Sequence, residues 1–513
     1  MNNISIPPMD EYNQALLNRV HPPDWVNPNP QDCYDLVVIG GGTAGLVVAA
    51  GAAGLGIGLK VALIEKNLMG GDCLNVGCVP SKCLIRSARV VGDILNAQQF
   101  GVNMPKLTPE NIDFAAVMTR MRRLRSHISE NDSVQRFQKL GIDVFLGEAS
   151  FVSDRSIAVG NNTLRFKKAV IATGARASRP DIPGLAEVGY LTNETVFELT
   201  ERPHRLAVIG AGAIGCELAQ TFQRLGCEVV LLHKNDRILD REDPDASEIL
   251  QQTFRHEGIR LELGVNIQSV EPTASGKLIW FNRGDEKVSI EVDQILVGVG
   301  RTPNVEGLNL FQVGVKFDLA HGVVVDDYLQ TTNPRIYAAG DICMNWKFTH
   351  AADAAARIAI KNILFSPFGL GRAQLSKLIM PWVTYTSPEV AHVGMYEQEA
   401  KAKGIDVSTI KIPFDVVDRA IADGETAGFL KILHRKGSDR ILGATIVAAH
   451  AGEMISEITL SIVTKQGLNQ LSGVIHPYPT QAEAIKKAAD AYRRTLLTPR
   501  SKILLGLIAK LSG

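Results

Sequence analysis

Two cysteines stand five positions apart in GGDCLNVGCVPS, the stretch from Gly70 to Ser81. The 513-residue chain has only seven cysteines, so this crowding asks for an explanation. Three are open: half of a metal site, a structural staple, or a disulfide that opens and closes during a reaction. No second Cys/His pair lies nearby at zinc spacing, which leaves a tetrahedral metal site with little support. A staple closing so short a loop adds little to a large domain with its own core. Cys73 and Cys78 lie at the start of a helix-like stretch, Ser81 to Phe100, and a helix N-terminus lowers a thiol pKa. These residues favour a redox couple.

Two glycine-rich turns supply dinucleotide sites. Residues 35–39 form a short apolar run of strand type, followed by Gly40-x-Gly42-x-x-Gly45 and an Ala-rich helix. The next strand, VALIE, ends in Glu65, twenty residues after Gly45. In this order the glycines let the backbone approach a pyrophosphate, the helix N-terminus faces its charge, and the acid takes ribose hydroxyls. The pattern repeats 170 residues later as Gly210-x-Gly212-x-x-Gly215, after a strand at 206–209 and before the strand VVLL. Two fingerprints imply two dinucleotides on one chain. Their acidic ends differ. His233 and Lys234 follow VVLL, with Arg237 and Arg241 beyond. An acid there would repel a 2′-phosphate and a cationic cluster would attract it, so the second site is expected to prefer NADPH over NADH. The alternative is a merely solvated basic loop.

Composition narrows the setting. Lys+Arg and Asp+Glu both total 54, so no global charge steers the chain to nucleic acid or anionic lipid. The low, odd cysteine count argues against a secreted disulfide scaffold and for a reducing, cytoplasmic setting. The N-terminus lacks the basic start and apolar run of a signal peptide. Residues 36–59 are 24 in a row without a charge, enough to cross a bilayer. They contain eight glycines and divide into strand, turn and helix, so a soluble strand–turn–helix is expected.

GGDCLNVGCVPSK closely resembles the active-site segment of the class I FAD-dependent pyridine nucleotide-disulfide oxidoreductases, the group of glutathione reductase, dihydrolipoyl dehydrogenase and mercuric reductase. The resemblance runs from about Tyr34 to about Ala491. AVIATGA at 169–175, with Thr173 and Gly174, resembles the link out of the FAD domain. GVGRTPN at 298–304, with Gly300 and Arg301, resembles the return link. TTNPRIYAAGD at 331–341 resembles the second FAD motif, whose Asp341 would bind the ribityl chain. The resemblance implies an α/β fold of two Rossmann-like domains plus an α+β dimerisation domain, with FAD and NADPH as cofactors. Its domain layout would be an N-terminal arm (1–32, expected to be extended), FAD-binding segments at 33–175 and 300–372, an NAD(P)H-binding domain at 176–299, a dimerisation domain at 373–495 and a tail at 496–513. Electrons would run from NADPH through FAD to a Cys73–Cys78 disulfide. Cys78 would be the thiolate held against the flavin and Cys73 the one that attacks substrate. Lys82 and Glu217 match an ion pair that the family places beside the flavin. Cys83, Cys216, Cys227 and Cys343 match no motif and are read as small core residues.

One departure bears on substrate. Glutathione reductase and dihydrolipoyl dehydrogenase carry His-Pro-x-x-x-Glu near the C-terminus, the His serving as acid–base across a dimer interface. Here IHPYPTQAEA puts Tyr478 at the His position; His476 falls two residues early. The match is to the mercuric-reductase pattern of Tyr478, Thr480 and Glu483. A tyrosine is a poor general base at neutral pH, which shifts the reading from thiol–disulfide exchange to Hg(II) reduction, with Cys73 and Cys78 holding the metal transiently. Against this, the chain has no cysteine after Cys343, where mercuric reductases end in a cysteine pair. The competing readings are a dihydrolipoyl- or glutathione-reductase-like enzyme with an altered base, and a non-catalytic flavin-containing redox sensor. Intact Cys73, Cys78, Lys82 and Glu217 argue against the sensor. Because Tyr478 would act on the other subunit's cysteines, a homodimer is expected. The apolar tail SKILLGLIAKLSG is expected to dock on the protein, with weak peripheral membrane contact as the alternative.

Overall fold

The computed structural model of the chain describes residues 4–512. They fold as two compact units. The first takes in residues up to Gly210, Thr221–Leu232 and Val265–Leu378; the second takes in Ala211–Gln220, His233–Gly264 and the chain from Ile379 onward. No helix among the described residues is long and apolar enough to cross a membrane.

The first unit is organised by a parallel sheet. Strand β1 (Tyr34–Ile39) lies between β2 (Val61–Glu65) and the long β4 (Asn162–Ile171), and β3 (Ile142–Leu146) extends the sheet beyond β2. Strand β8 (Ile336–Ala338) pairs with the end of β4. β1 and β2 are buried on both faces: a helix packs on one, and on the other Val37, Ile39, Ala62 and Ile64 share a core with Phe151, Ile157, Val159, Leu310 and Val323; every residue of β2 is buried, Glu65 included. Helix α2 (Thr43–Ala53) buries Leu46, Val48, Ala49 and Ala52 and packs against α7 (Thr349–Leu364). The end of the first predicted link runs beside the second, with Ala175–Ala177 antiparallel to Arg301–Pro303. They are tied by Thr173 Oγ1 donating to the Asn304 carbonyl and Asn304 Nδ2 donating to the Thr173 carbonyl, both at 2.9 Å. A second parallel set follows the order β6–β5–β7, from Glu228–His233, Arg205–Ile209 and Gln294–Val297.

The second unit is built on an antiparallel sheet of order β9–β10–β13–β12–β11 (Pro381–Thr384, Glu389–Gly394, Ile441–Ala448, Phe429–Arg435, Val407–Pro413). Helices α8 (Ala451–Val463) and α9 (Glu483–Thr495) cover it. α9 buries Ala484, Ile485, Ala488, Ala489 and Tyr492, a one-sided stripe at helical spacing that packs on β11 and β12 and shares a core with Leu430 and Ile432.

Three expectations change. Residues 11–20 are not an extended arm but a helix, α1 (Glu11–Val20), capped by Asp10 and burying Asn13, Leu16, Leu17 and Val20. Asn13 Oδ1 accepts from Arg125 at 2.7 Å and Asp10 pairs with Arg122 at 2.5 Å, both arginines lying on α5 (Phe114–Ile128). The redox-loop helix α4 starts at Cys78, not Ser81, and runs to Leu95. Pro80 in its first turn marks no break, since the first-turn amides have no intrahelical partner anyway. The apolar tail forms α10 (Pro499–Leu511) but is not docked: none of its residues is buried.

Candidate active site

The cysteine loop is a short helix, α3 (Gly71–Asn75), a bend at Val76–Gly77, and the start of α4. Its position depends on Gly71, held at φ +56°, where a Cβ would fall 2.6 Å from the Cα of Gly42 in the first glycine turn. That turn is equally tight: a Cβ on Gly45 would lie 1.7 Å from the Gly40 carbonyl oxygen. Asn75 braces the loop, donating to the Met69 and Gly71 carbonyls, while its own carbonyl accepts from Arg125 at 2.7 Å.

Cys73 and Cys78 stand as thiols, with no disulfide between them. Cys78 is the first residue of α4, where the unpaired amides and the helix dipole favour a thiolate. Its sulfur lies 3.3 Å from Thr349 Oγ1 at the start of α7. Cys73 is pushed well above the ordinary thiol range, first by its hydrogen bond to Cys78, then by burial and by the negative charge Cys78 can carry. Cys73 is therefore the member of the pair that holds its proton. Lys82 sits one turn along α4 from Cys78.

Beside the loop lies an ion-pair chain that the sequence reading did not contain. The Arg301 guanidinium pairs with Asp72, donates to the Ala175 carbonyl at 2.7 Å, and places Nε 3.4 Å from Asp341. Burial opposes the charge of Arg301, but Asp72 and Asp341 outweigh it and raise its pKa. Burial raises the Asp341 pKa, partly offset by Arg301. Arg301, read as a cofactor residue, thus links the redox loop to the second FAD motif. Asp72 was visible in GGDC, but nothing local signals a partner 229 positions away. Thr349 had no sequence signal at all.

Each fingerprint has a side chain at the end of its second strand that caps its glycine turn. Glu65 Oε2 accepts from Gly41 N and Oε1 from Asn67 N, each at 2.6 Å, and burial raises its pKa. Both oxygens keep a lone pair for a ribose hydroxyl, and the Gly40–Gly45 turn admits a pyrophosphate at backbone distance, so these residues fit FAD. In the second unit, His233 Nδ1 accepts from Ala211 N at 3.2 Å, the corresponding arrangement. Burial lowers the His233 pKa, so at neutral pH it is an uncharged acceptor, correcting the reading of it as part of a cationic cluster. The cations are Lys234, exposed, and Arg237, half-buried, which donates to the Asp240 carbonyl at 2.8 Å. His233 Nε2 and Arg237 Nε are buried with no hydrogen-bond partner among the described residues. Orphaned donors of this kind fit a phosphate-bearing ligand next to Gly212 and Gly215. Gly210, Gly300 and Gly174 hold turns in the first unit, Gly300 and Gly174 accepting from Ser178 N and Asn304 N at 3.0 Å each.

The C-terminal residues belong to the second unit. Tyr478 is 71% exposed and donates to Asp418 Oδ2 at 3.0 Å. That hydrogen bond and the charge of Asp418 raise its pKa, so it is a weaker acid than an ordinary tyrosine and keeps its proton at neutral pH. Thr480 donates to the Pro477 carbonyl at 2.9 Å. Glu483 Oε1 lies 3.4 Å from Lys487, while its buried Oε2 has no partner among the described residues. His476 pairs with Glu457, Nε2 to Oε1 at 3.1 Å, its ring 5% exposed. Glu217 is buried and accepts from Tyr385 N at 2.8 Å. Cys216 and Cys227 are buried; Cys83 and Cys343 are half-buried, Cys343 against the core of the first unit. Among the described residues no group of three or more His, Cys, Asp or Glu is placed to hold a metal ion.

Known proteins repeat this arrangement. Residues 34–356 match the pyridine nucleotide-disulphide oxidoreductase family and residues 380–489 its dimerisation domain. A mercuric reductase from Staphylococcus aureus is 38% identical over 456 residues, 89% of this chain and 82% of its own. A dihydrolipoyl dehydrogenase from Chlamydia muridarum is 35% identical over 464 residues, 89% of this chain and 96% of its own. The solved structure of the HOCl-induced flavoprotein disulfide reductase RclA from Escherichia coli superposes with a TM-score of 0.78 at 26% identity, covering 89% of this chain and 99% of that one. With paired thiols, two nucleotide turns and both family segments in order, the chain belongs to the pyridine nucleotide-disulphide oxidoreductases, flavoprotein enzymes that bind FAD and NAD(P)H.

Proposed function

We propose that this chain is an NADPH-dependent reductase of mercuric-reductase type, taking Hg(II) as a thiol complex at Cys73 and Cys78. The observation that carries the reading is Tyr478, where the disulfide reductases with a histidine base need an imidazole. Its hydroxyl is committed to Asp418 and its pKa is raised, so it can donate a hydrogen bond but not shuttle a thiol proton at neutral pH. Reduction of Hg(II) needs no such shuttle to a leaving thiol; it needs two soft ligands next to an electron source.

FAD, when bound, supplies the two-electron relay between nicotinamide and dithiol. The chain's own residues do the rest. Glu65, Asp341 and the Gly40–Gly45 turn hold the flavin nucleotide. Gly210, Gly212, Gly215, His233, Lys234 and Arg237 hold the nicotinamide nucleotide, the last two on its 2′-phosphate. Cys78, at the helix N-terminus and beside Thr349, is the standing thiolate. Cys73 keeps its proton until Hg(II) arrives; the Cys73–Hg bond then replaces one bond from Hg(II) to its carrier thiolate, which leaves with the proton, and the new bond takes up the charge that Cys78 made costly. Lys82 and Glu217 take the flavin-side charges that the family resemblance assigns to them. In the functional homodimer, Tyr478 of one subunit meets the cysteines of the other. Glu483 Oε2 and Gln481 Oε1, buried and without a hydrogen-bond partner among the described residues, support an interface at this segment. The domain layout is that of the family, FAD segments at 33–175 and 300–372 around a nicotinamide domain at 176–299.

A second reading, a dihydrolipoyl- or glutathione-reductase-like enzyme, is favoured by one observation: His476 and Glu457 form a His–carboxylate pair. Steady-state turnover of glutathione disulfide by wild type and His476→Ala separates the two. Fast turnover lost in the variant supports the second reading; slow turnover in both supports the first.

A further inference from the structure

We propose that α10 is an interfacial helix that seats the protein on an anionic lipid surface. The inference is independent of which substrate the cysteines reduce.

The helix is apolar yet uncovered. Ile503, Leu504, Leu507, Ile508 and Leu511 are 67, 59, 55, 49 and 87% exposed. Solvent-facing leucines and isoleucines in such a run are costly unless another surface covers them. The helix lies beyond the dimerisation domain, whose match ends at residue 489.

The residue pattern says what covers it. Lys502, Gly506 and Lys510 recur every four residues and form one narrow line along the helix, flanked by Ile503, Leu507 and Leu511 on one side and Leu505 and Ala509 on the other, with Arg500 in line with Leu504 and Ile508. A short apolar helix with its two lysines on one line can lie in a bilayer plane, the long lysine stems carrying their charges to the headgroups while the apolar side chains meet the acyl boundary. Thirteen residues are too few to span.

Charge selects the lipid. The chain as a whole is neutral, but no Asp or Glu follows Asp490, whereas Arg493, Arg494, Arg500, Lys502 and Lys510 do. A local cluster of this kind attracts anionic headgroups and repels a second copy of itself. A dimer would present two such helices, turning weak single-helix contact into stable attachment.

The test is co-sedimentation of the full-length holoenzyme with vesicles. Phosphatidylcholine vesicles containing about 30% phosphatidylglycerol should pellet the wild type, and phosphatidylcholine alone should not. Raising salt from about 0.05 to 0.5 M should weaken binding at least about tenfold, because the headgroup attraction is screened. Leu504→Glu/Ile508→Glu should lose at least about tenfold in partition, and Lys502→Gln/Lys510→Gln should lose salt-sensitive binding, both with unchanged NADPH oxidation and melting temperature. The proposal is overturned if the wild type stays in the supernatant with anionic vesicles at low salt, or if the double Glu variant binds as well as wild type. It is equally overturned if vesicle-free protein protects α10 from hydrogen exchange and the double Glu variant converts dimer to monomer in sedimentation velocity, since the helix would then cover a second copy.

Discussion

His233→Glu is expected to reverse the nicotinamide preference. In the wild type, a neutral imidazole caps the second glycine turn by accepting from Ala211 N, as Glu65 accepts from Gly41 N in the first. A glutamate at 233 can make the same backbone hydrogen bond, so the turn survives while a full negative charge arrives at the ribose end. At about 5 Å and an effective dielectric of about 20, one charge pair is worth about 3 kcal/mol. A 2′-phosphate carries more than one charge, and partial exposure of the site screens the interaction by a similar factor, so about 3 kcal/mol is the expected net loss for NADPH. That is roughly a hundredfold in kcat/KM. NADH, gaining a carboxylate for its ribose hydroxyl, should improve by about 1 kcal/mol, or roughly fivefold. The assay is steady-state kcat/KM with both nucleotides, backed by Kd from fluorescence titration. Two results refute the reasoning: an NADPH value changed less than about fivefold, or NADH and NADPH falling together, which would mean a broken turn rather than a changed charge.

Other expectations follow from the same geometry. Limited reduction should give a long-wavelength charge-transfer band that Cys78→Ser abolishes and Cys73→Ser shows without reductant; the opposite pattern would exchange the two roles. Gly45→Ala, whose Cβ would strike the Gly40 carbonyl, should be purified with most of its flavin missing, read from the visible absorbance per chain. Stability should fall on acidification because of His392, buried between Thr445 and Gly394 with its pKa lowered to about 3. Between about 6.5 and 3 only the unfolded chain binds that proton, so this residue alone should remove about 2–3 kcal/mol between pH 6.5 and 4.5. His392→Leu should flatten that limb of the urea midpoint against pH; an unchanged slope would mean that the ring is protonated in the fold.

The sequence carried the parts of this fold whose signals are local. The tight turn at Gly45 and the strand that ends at Glu65 are legible because a glycine turn, an apolar strand and an acid at fixed spacing belong to one unbroken segment. The same logic misjudged His233, since residue type alone gives a basic side chain, and only its burial and the Ala211 hydrogen bond make it neutral. Asp72, Arg301 and Asp341 each lie in a quoted motif, but their ion-pair chain joins segments more than 200 residues apart, and no local pattern encodes it. Helix α1 was legible in principle: Asp10 is a capping residue, and Leu16, Leu17 and Val20 have helical spacing. The two prolines before it and the polar composition around it hid the pattern. The tail failed for a different reason, because its apolar count invites docking and only the structure shows that nothing among the described residues receives it.

The most direct test is a stopped-flow comparison in which the NADPH-reduced enzyme meets Hg(II) with modest thiol excess, glutathione disulfide or lipoamide, and reoxidation is followed by flavin absorbance. The account predicts fast reoxidation by Hg(II), slowed by Tyr478→Phe and by a large excess of competing thiol, with the two disulfides reacting poorly. Rapid reoxidation by glutathione disulfide or lipoamide, lost in His476→Ala and indifferent to Tyr478→Phe, would contradict it.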